Sequence, residues 1–123
     1  MVPARSLATM LLSGLLLPLP AFAQDAAAGG ALFKGRCQAC HVVTAGQKPT
    51  LGPNLSGLAG RKAGSTAFNY SPALKASGLK WDKPTLDRFL TAPMKAVPGT
   101  RMVIAVPDAK QRADIVAYLS SLK

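Results

Sequence analysis

The chain has 123 residues, room for one domain, and its 15 Lys and Arg against 5 acids give a formal charge of +10. Only 6% of the residues are aromatic, thin provision for a self-sufficient core at this size, so help from a cofactor, a metal or disulfides is in order. A positive charge of this size suits an acidic partner surface, with nucleic acid as the usual rival, but the cations are scattered singly along the chain rather than gathered in one run.

Residues 1–23 read as an export leader rather than structure. Arg5 supplies the positive start, Leu7 to Leu17 the apolar stretch, and Ala21-Phe22-Ala23 a small-residue cleavage site. The apolar run is interrupted by Pro18 and Pro20 and falls short of the roughly 20 residues that span a bilayer, which argues against stable membrane insertion. The mature domain is then 24–123, starting at Gln24, and without Arg5 its formal charge is +9. Its simplest destination is a bacterial periplasm. Nucleic acid is not found there, which removes that rival.

The fold class expected is all-α, with three to five short helices and long loops. A first helix runs from Asp25 to Arg36, with Leu32 and Phe33 on one side. Gly29 in its middle costs about 1 kcal/mol relative to Ala, a cost that a second helix crossing close to the backbone explains. From Val42 to Gly64 the chain is irregular, punctuated by glycines and prolines, and needs something to pack against. Asp82 N-caps a second helix with Pro84 in its first turn and Leu86, Phe89 and Leu90 at helical spacing, ended by Pro93. After the loop framed by Pro98-Gly99 and Pro107, Asp108 opens a last helix with Ile115, Leu119 and Leu122 on one face. The sequence carries no convincing strand and no internal repeat.

Cys37-Gln38-Ala39-Cys40-His41 is the segment that bears chemistry, because C-x-x-C-H is the pattern of covalent haem attachment. Two thiols three residues apart reach the two vinyl groups of one porphyrin, and the next residue's imidazole falls under the iron. A disulfide between them closes too small a loop to stabilise much. Structural zinc requires four Cys or His ligands, and the chain offers two Cys and a single His. A thioredoxin-like dithiol follows a strand, and none precedes Cys37. The cofactor is therefore one covalently bound haem c, held by Cys37 and Cys40, with His41 on the iron. Met94 and Met102 are the candidates for the second axial position; the restrained Pro98-Gly99-Thr100-Arg101 loop favours Met102. A thioether ligand favours ferrous iron and closes the site to substrate, as an electron carrier requires.

Beyond this pentapeptide the chain resembles the class I cytochromes c, the small soluble monohaem proteins of mitochondria and bacteria. The resemblance rests on Gly29 and Phe33, Gly52-Pro53-Asn54-Leu55, Gly60-Arg61-Lys62, Tyr70 eleven residues before Trp81, Pro98-Gly99-Thr100-Arg101-Met102, and Ile115 with Tyr118, all in order and spacing over essentially the whole mature domain. It implies that the Pro53 carbonyl accepts the second ring N–H of His41, that Met102 completes the iron, and that Tyr70, Trp81 and Arg61, with Thr100 beside the Met loop, serve the haem and its propionates. It also implies a crossing of the first and last helices at Gly29, Phe33, Ile115 and Tyr118.

Three residues depart from the family pattern: Phe89 where a tyrosine is common, Leu74 where Asn is common, and Ile104 where an aromatic is common. They suggest a drier pocket with a shifted potential. Arg101 replaces a common lysine and, never deprotonating, cannot displace Met102 at high pH.

The function implied is a periplasmic monomer shuttling single electrons, not an enzyme. Its partners are acidic redox proteins or membrane oxidoreductase complexes, met through a cationic ring for which Arg36, Lys48, Lys95 and Arg101 are the matches. The alternatives are a haem subunit of one periplasmic dehydrogenase, or a ligand-binding haem enzyme with a labile sixth position. No distal His or acid–base pair near Met102 favours the latter.

Overall fold

The computed structural model describes residues 14–17 and 24–123; most of the leader at 1–23 therefore lies outside the described residues. Five helices follow in chain order: α1 Ala26–Arg36, α2 Pro72–Ala76, α3 Lys83–Thr91, α4 Pro93–Ala96 and α5 Ala109–Ser121. Among the described residues, extended pairing is limited to one isolated bridge between Lys62 and Lys80. Among the described residues no helix is long and apolar enough to cross a membrane.

The helix starts follow from their caps. Asp25, Asp82 and Asp108 each place a carboxylate on the backbone N–H groups of a first turn, at Ala28, Thr85 and Gln111, satisfying donors the helix leaves unpaired. Ser71 does the same for α2 by accepting from Leu74 N–H, and Pro72 stands at the first helical position. Pro93 both ends α3 and begins α4. Lacking an N–H, it cannot continue the first helix but suits the start of the second.

The N- and C-terminal helices cross at Gly29. A Cβ there would overlap the backbone carbonyl of Asp114 and approach Ile115 N to 3.0 Å, so the absent side chain is what lets α1 and α5 meet backbone to backbone. Beside the crossing the Phe33 and Tyr118 rings lie 5.3 Å apart, and Ile115 is fully buried. Asp114 locks the junction from the other side: its carboxylate accepts from Asp25 N–H at 3.0 Å and from Lys110 Nζ at 2.6 Å. These contacts lower the acid's pKa from the usual carboxylate value, the Lys110 bond first and the Asp25 bond second. A second clamp joins α3 to α5, where Arg112 donates to Asp87 at 2.6 Å and to the carbonyls of Val106 and Pro107.

Candidate haem site

The attachment turn is a continuation of α1. Cys37 and Gln38 both donate to Phe33 O, and Cys40 and His41 both donate to Cys37 O at 3.0 and 2.9 Å. The residues Cys37, Cys40 and His41 thus wind through one tight turn, and all three line a single cavity of about 670 Å³.

The rest of that cavity is the core itself. Phe33, Leu58, Trp81, Leu86, Phe89, Leu90, Ile115 and Leu119 are buried, and all face it. Protein interiors close-pack with few voids larger than a water molecule. A core arranged around a space of this size, within the range that takes up cofactors, is built for a large planar guest.

The residues present fit that guest. Two thiols are free on the wall, and burial pushes the Cys37 thiol up, with the Arg36 charge opposing and Cys40 adding. A raised thiol is the reverse of what a dithiol redox catalyst needs, whereas a haem-attachment cysteine has no such demand. The His41 ring is half-buried, and Nδ1 lies 2.9 Å from Pro53 O. That bond makes Nδ1 the protonated nitrogen and leaves the lone pair on Nε2. Burial pulls the imidazole below its ordinary range, against the Pro53 bond, which favours the neutral form a metal requires.

Gly52 sets the fit of the ring. A Cβ there would stand 2.6 Å from His41 Cε1, 2.8 Å from Nδ1 and 3.1 Å from Cys40 O. The loop also runs close alongside the attachment turn: Gly52 N–H donates to Cys40 O and Leu55 N–H to Val42 O, both at 2.8 Å.

Across the cavity, the loop after α4 delivers Met102. Gly99 has φ +91°, a left-handed conformation that strains any other residue. Thr100 is buried and donates its N–H to Val97 O. Arg101 reaches over to donate to Asn69 O at 2.7 Å. Met102 is half-buried on the cavity wall, while Met94 is 57% exposed on α4 and away from it.

Pro53, Arg61, Tyr70, Trp81 and Thr100 all line the same cavity. Arg61 donates to Ser56 O at 2.8 Å and to Asn54 O at 3.2 Å, leaving further guanidinium donors for an anionic group. The Tyr70 hydroxyl pairs with Thr66 Oγ1, a partner not read from the sequence. Phe89 meets Trp81 edge-on at 5.1 Å, and Leu74 and Ile104 also lie on the wall. The four cations assigned to docking divide. Arg36 and Arg101 stand at the cavity, whereas Lys48 and Lys95 are exposed and do not line it. Gly52, read from the sequence only as part of a motif, lines the cavity against His41, and Asn54 from the same motif stands behind the wall, bonded to Thr44, Gln47 and Ser56.

A small all-α domain that wraps its core around a space facing C-x-x-C-H on one side and a methionine loop on the other is a c-type haem protein. The comparisons agree. The Cytochrome c family model matches residues 26–123. Cytochrome c2 of Rhodoblastus acidophilus is 47% identical over 103 residues, covering 82% of this chain and 95% of that protein. Cytochrome c of Tetrahymena pyriformis is 46% identical over 99 residues, covering 80% and 89%. Among solved structures, cytochrome cH from Methylobacterium extorquens superposes with a TM-score of 0.71 at 46% identity, over 77% of this chain and 96% of that one. The chain belongs to the cytochrome c family: it binds haem c covalently and is a monohaem electron carrier, not an enzyme.

Proposed function

We propose that the mature domain, 24–123, is an exported periplasmic carrier whose haem is attached at Cys37 and Cys40 and whose iron is held by His41 and Met102. The observation that carries this reading is the convergence of those four side chains on one cavity walled by the core. Haem supplies a reversible one-electron couple. The chain's own residues do the rest. The Pro53 carbonyl orients the His41 ring and strengthens it as a donor. Met102 would supply the iron's second protein ligand, leaving no open site for substrate. The buried apolar walls exclude water, and Arg61, Tyr70, Trp81 and Thr100, all on the cavity wall, would receive the propionates.

The distribution of charge supports an acidic, transient partner. All five acids serve structure: Asp25, Asp82 and Asp108 as caps, Asp87 and Asp114 in the two ion pairs. None opposes Arg36, Lys48, Lys95 or Arg101. Leu51 at 80% exposure and Val103 at 62% stand with Arg36 and Arg101 at the cavity mouth, which gives an apolar centre to a cationic rim. Such a rim accelerates encounter more than it prolongs residence, and the protein works as a monomer meeting acidic redox proteins or membrane oxidoreductase complexes.

The test is stopped-flow electron transfer to an acidic redox protein across ionic strengths. The rate is expected to fall steeply between about 0.01 and 0.5 M salt as the Debye length shrinks. A rate independent of salt overturns the docking reading. The mass of the protein recovered from the periplasm tests the processing site; a product beginning at Met1 overturns it.

A further inference from the structure

Pro53 carries the carbonyl that meets His41, yet it has no N–H of its own with which to hold that carbonyl in place. The residue that follows it is bonded through every polar atom of its side chain. The Asn54 amide donates to Thr44 O at 2.7 Å and to Gln47 O at 2.9 Å, while its Oδ1 accepts from Ser56 N–H at 2.8 Å. Two carbonyl acceptors on one side and an N–H donor on the other fix which atom is nitrogen and which is oxygen. The Asn54 backbone carbonyl is held as well, by Arg61 Nη2 at 3.2 Å. One carboxamide thus ties the turn at Thr44–Gln47, itself closed by Gln47 N–H on Thr44 O, to the run of backbone that presents Pro53 O to the imidazole.

We propose that Asn54 is a positioning residue for the iron's imidazole: its carboxamide fixes the Pro53 carbonyl against His41 Nδ1 and so sets the ring's donor strength and the ferric–ferrous balance. The inference rests on the reading of His41 as an iron ligand. The direction follows from elementary chemistry. A hydrogen bond from Nδ1–H to a carbonyl gives the ring imidazolate character and favours ferric iron; loosening the carbonyl weakens the bond and favours ferrous iron.

The experiment uses the haem-loaded protein with Asn54→Asp, which keeps the acceptor for Ser56 N–H but replaces both donors, and Asn54→Ala, which removes all three bonds. Asp114→Asn, at the distant α1–α5 crossing, is the control for lost stability. Two quantities are read: the solvent exchange of the His41 ring N–H by proton NMR of the reduced protein, and the reduction potential. In both Asn54 variants exchange is expected to quicken about tenfold, the loss of roughly one hydrogen bond, and the oxidised-to-reduced ratio at fixed potential to fall about two- to fivefold. At 59 mV per tenfold for one electron that is a rise of about 20–40 mV.

Asn54 variants that are less stable yet keep wild-type ring exchange and potential, as the control does, overturn the proposal. Should Asn54→Ala fail to yield folded protein, Asn54→Asp decides alone. A wild-type reduced spectrum without the ring-current-shifted signals of an iron-bound imidazole overturns the ligand reading itself, and that result is visible before any variant is made.

Discussion

Replacing Gly52 by Ala separates a steric account of the His41 ring from a backbone account, because the two predict opposite signs. Gly52 is not among the glycines with positive φ. Where the backbone permits it, Gly→Ala stabilises by about 0.4–1 kcal/mol through the unfolded chain. The new Cβ, however, would stand 2.6 Å from His41 Cε1, about 0.8 Å inside the 3.4 Å at which ordinary contact begins. The neighbour that must give is the His41 ring, since the Cys40 carbonyl already stands 3.1 Å from the same Cβ, and its relief lies away from the loop. A shift of about 0.8 Å in that direction stretches the Nδ1–Pro53 O contact from 2.9 Å toward about 3.7 Å, past a sound hydrogen bond. Overpacking of this kind costs about 1–3 kcal/mol, and the lost bond about 0.5–1.5 kcal/mol more. After the entropic gain, Gly52→Ala should lose roughly 0.5–4 kcal/mol. The assay is denaturant unfolding of the oxidised haem protein, followed by fluorescence of Trp81, the single tryptophan. A lower midpoint with an unchanged slope is expected; an unchanged or higher midpoint refutes the steric argument.

Two further predictions concern the α1–α5 crossing. Gly29→Ala gains about 1 kcal/mol of helix propensity but forces two backbones apart, at about 3 kcal/mol or more, the upper end of overpacking costs, so a net loss of roughly 2 kcal/mol or more in the same unfolding assay is expected; a gain would mean the helices do not meet where Gly29 lies. Because Lys110 and Asp25 N–H lower the folded-state pKa of Asp114, its contribution is complete above the ordinary carboxylate range. It is lost as pH falls through the lowered folded value. Unfolding midpoints measured from pH 7 down to pH 2 should therefore converge between wild type and Asp114→Asn on the acid side. A constant gap at all pH values contradicts the assignment.

Much of this was legible in the sequence where one residue type signals one physical demand. Asp82 and Asp108, each immediately before a helical pattern, mark α3 and α5, and the mid-helix Gly29 points to a close crossing; Asp25 reads as the first residue of α1, where the structure makes it the cap. The spacing of Cys37, Cys40 and His41 named the cofactor. The short helices α2 and α4 were not called individually, since four or five residues are too few for a period and each begins at a proline that reads equally as loop. The roles of Gly52 and Asn54 were hidden for a different reason. Their cross-loop partners lie seven to twelve positions away in an irregular segment, where no periodicity links donor to acceptor. The Thr66 partner of Tyr70 and the Asn69 carbonyl held by Arg101 depend in the same way on where loops fold back, which composition does not encode.

The central claim is that iron sits between His41 and Met102, and absorption spectroscopy of the purified protein tests it most directly. Spectra are taken oxidised and reduced, with the weak near-infrared band of methionine-to-iron charge transfer recorded for wild type, Met102→Ala and Met94→Ala, and with carbon monoxide added to the reduced forms. The account predicts a c-type spectrum whose near-infrared band is present in wild type and Met94→Ala and lost in Met102→Ala, with carbon monoxide acting only on the last. A wild-type protein that lacks the band and binds carbon monoxide, or a band lost in Met94→Ala instead, contradicts it.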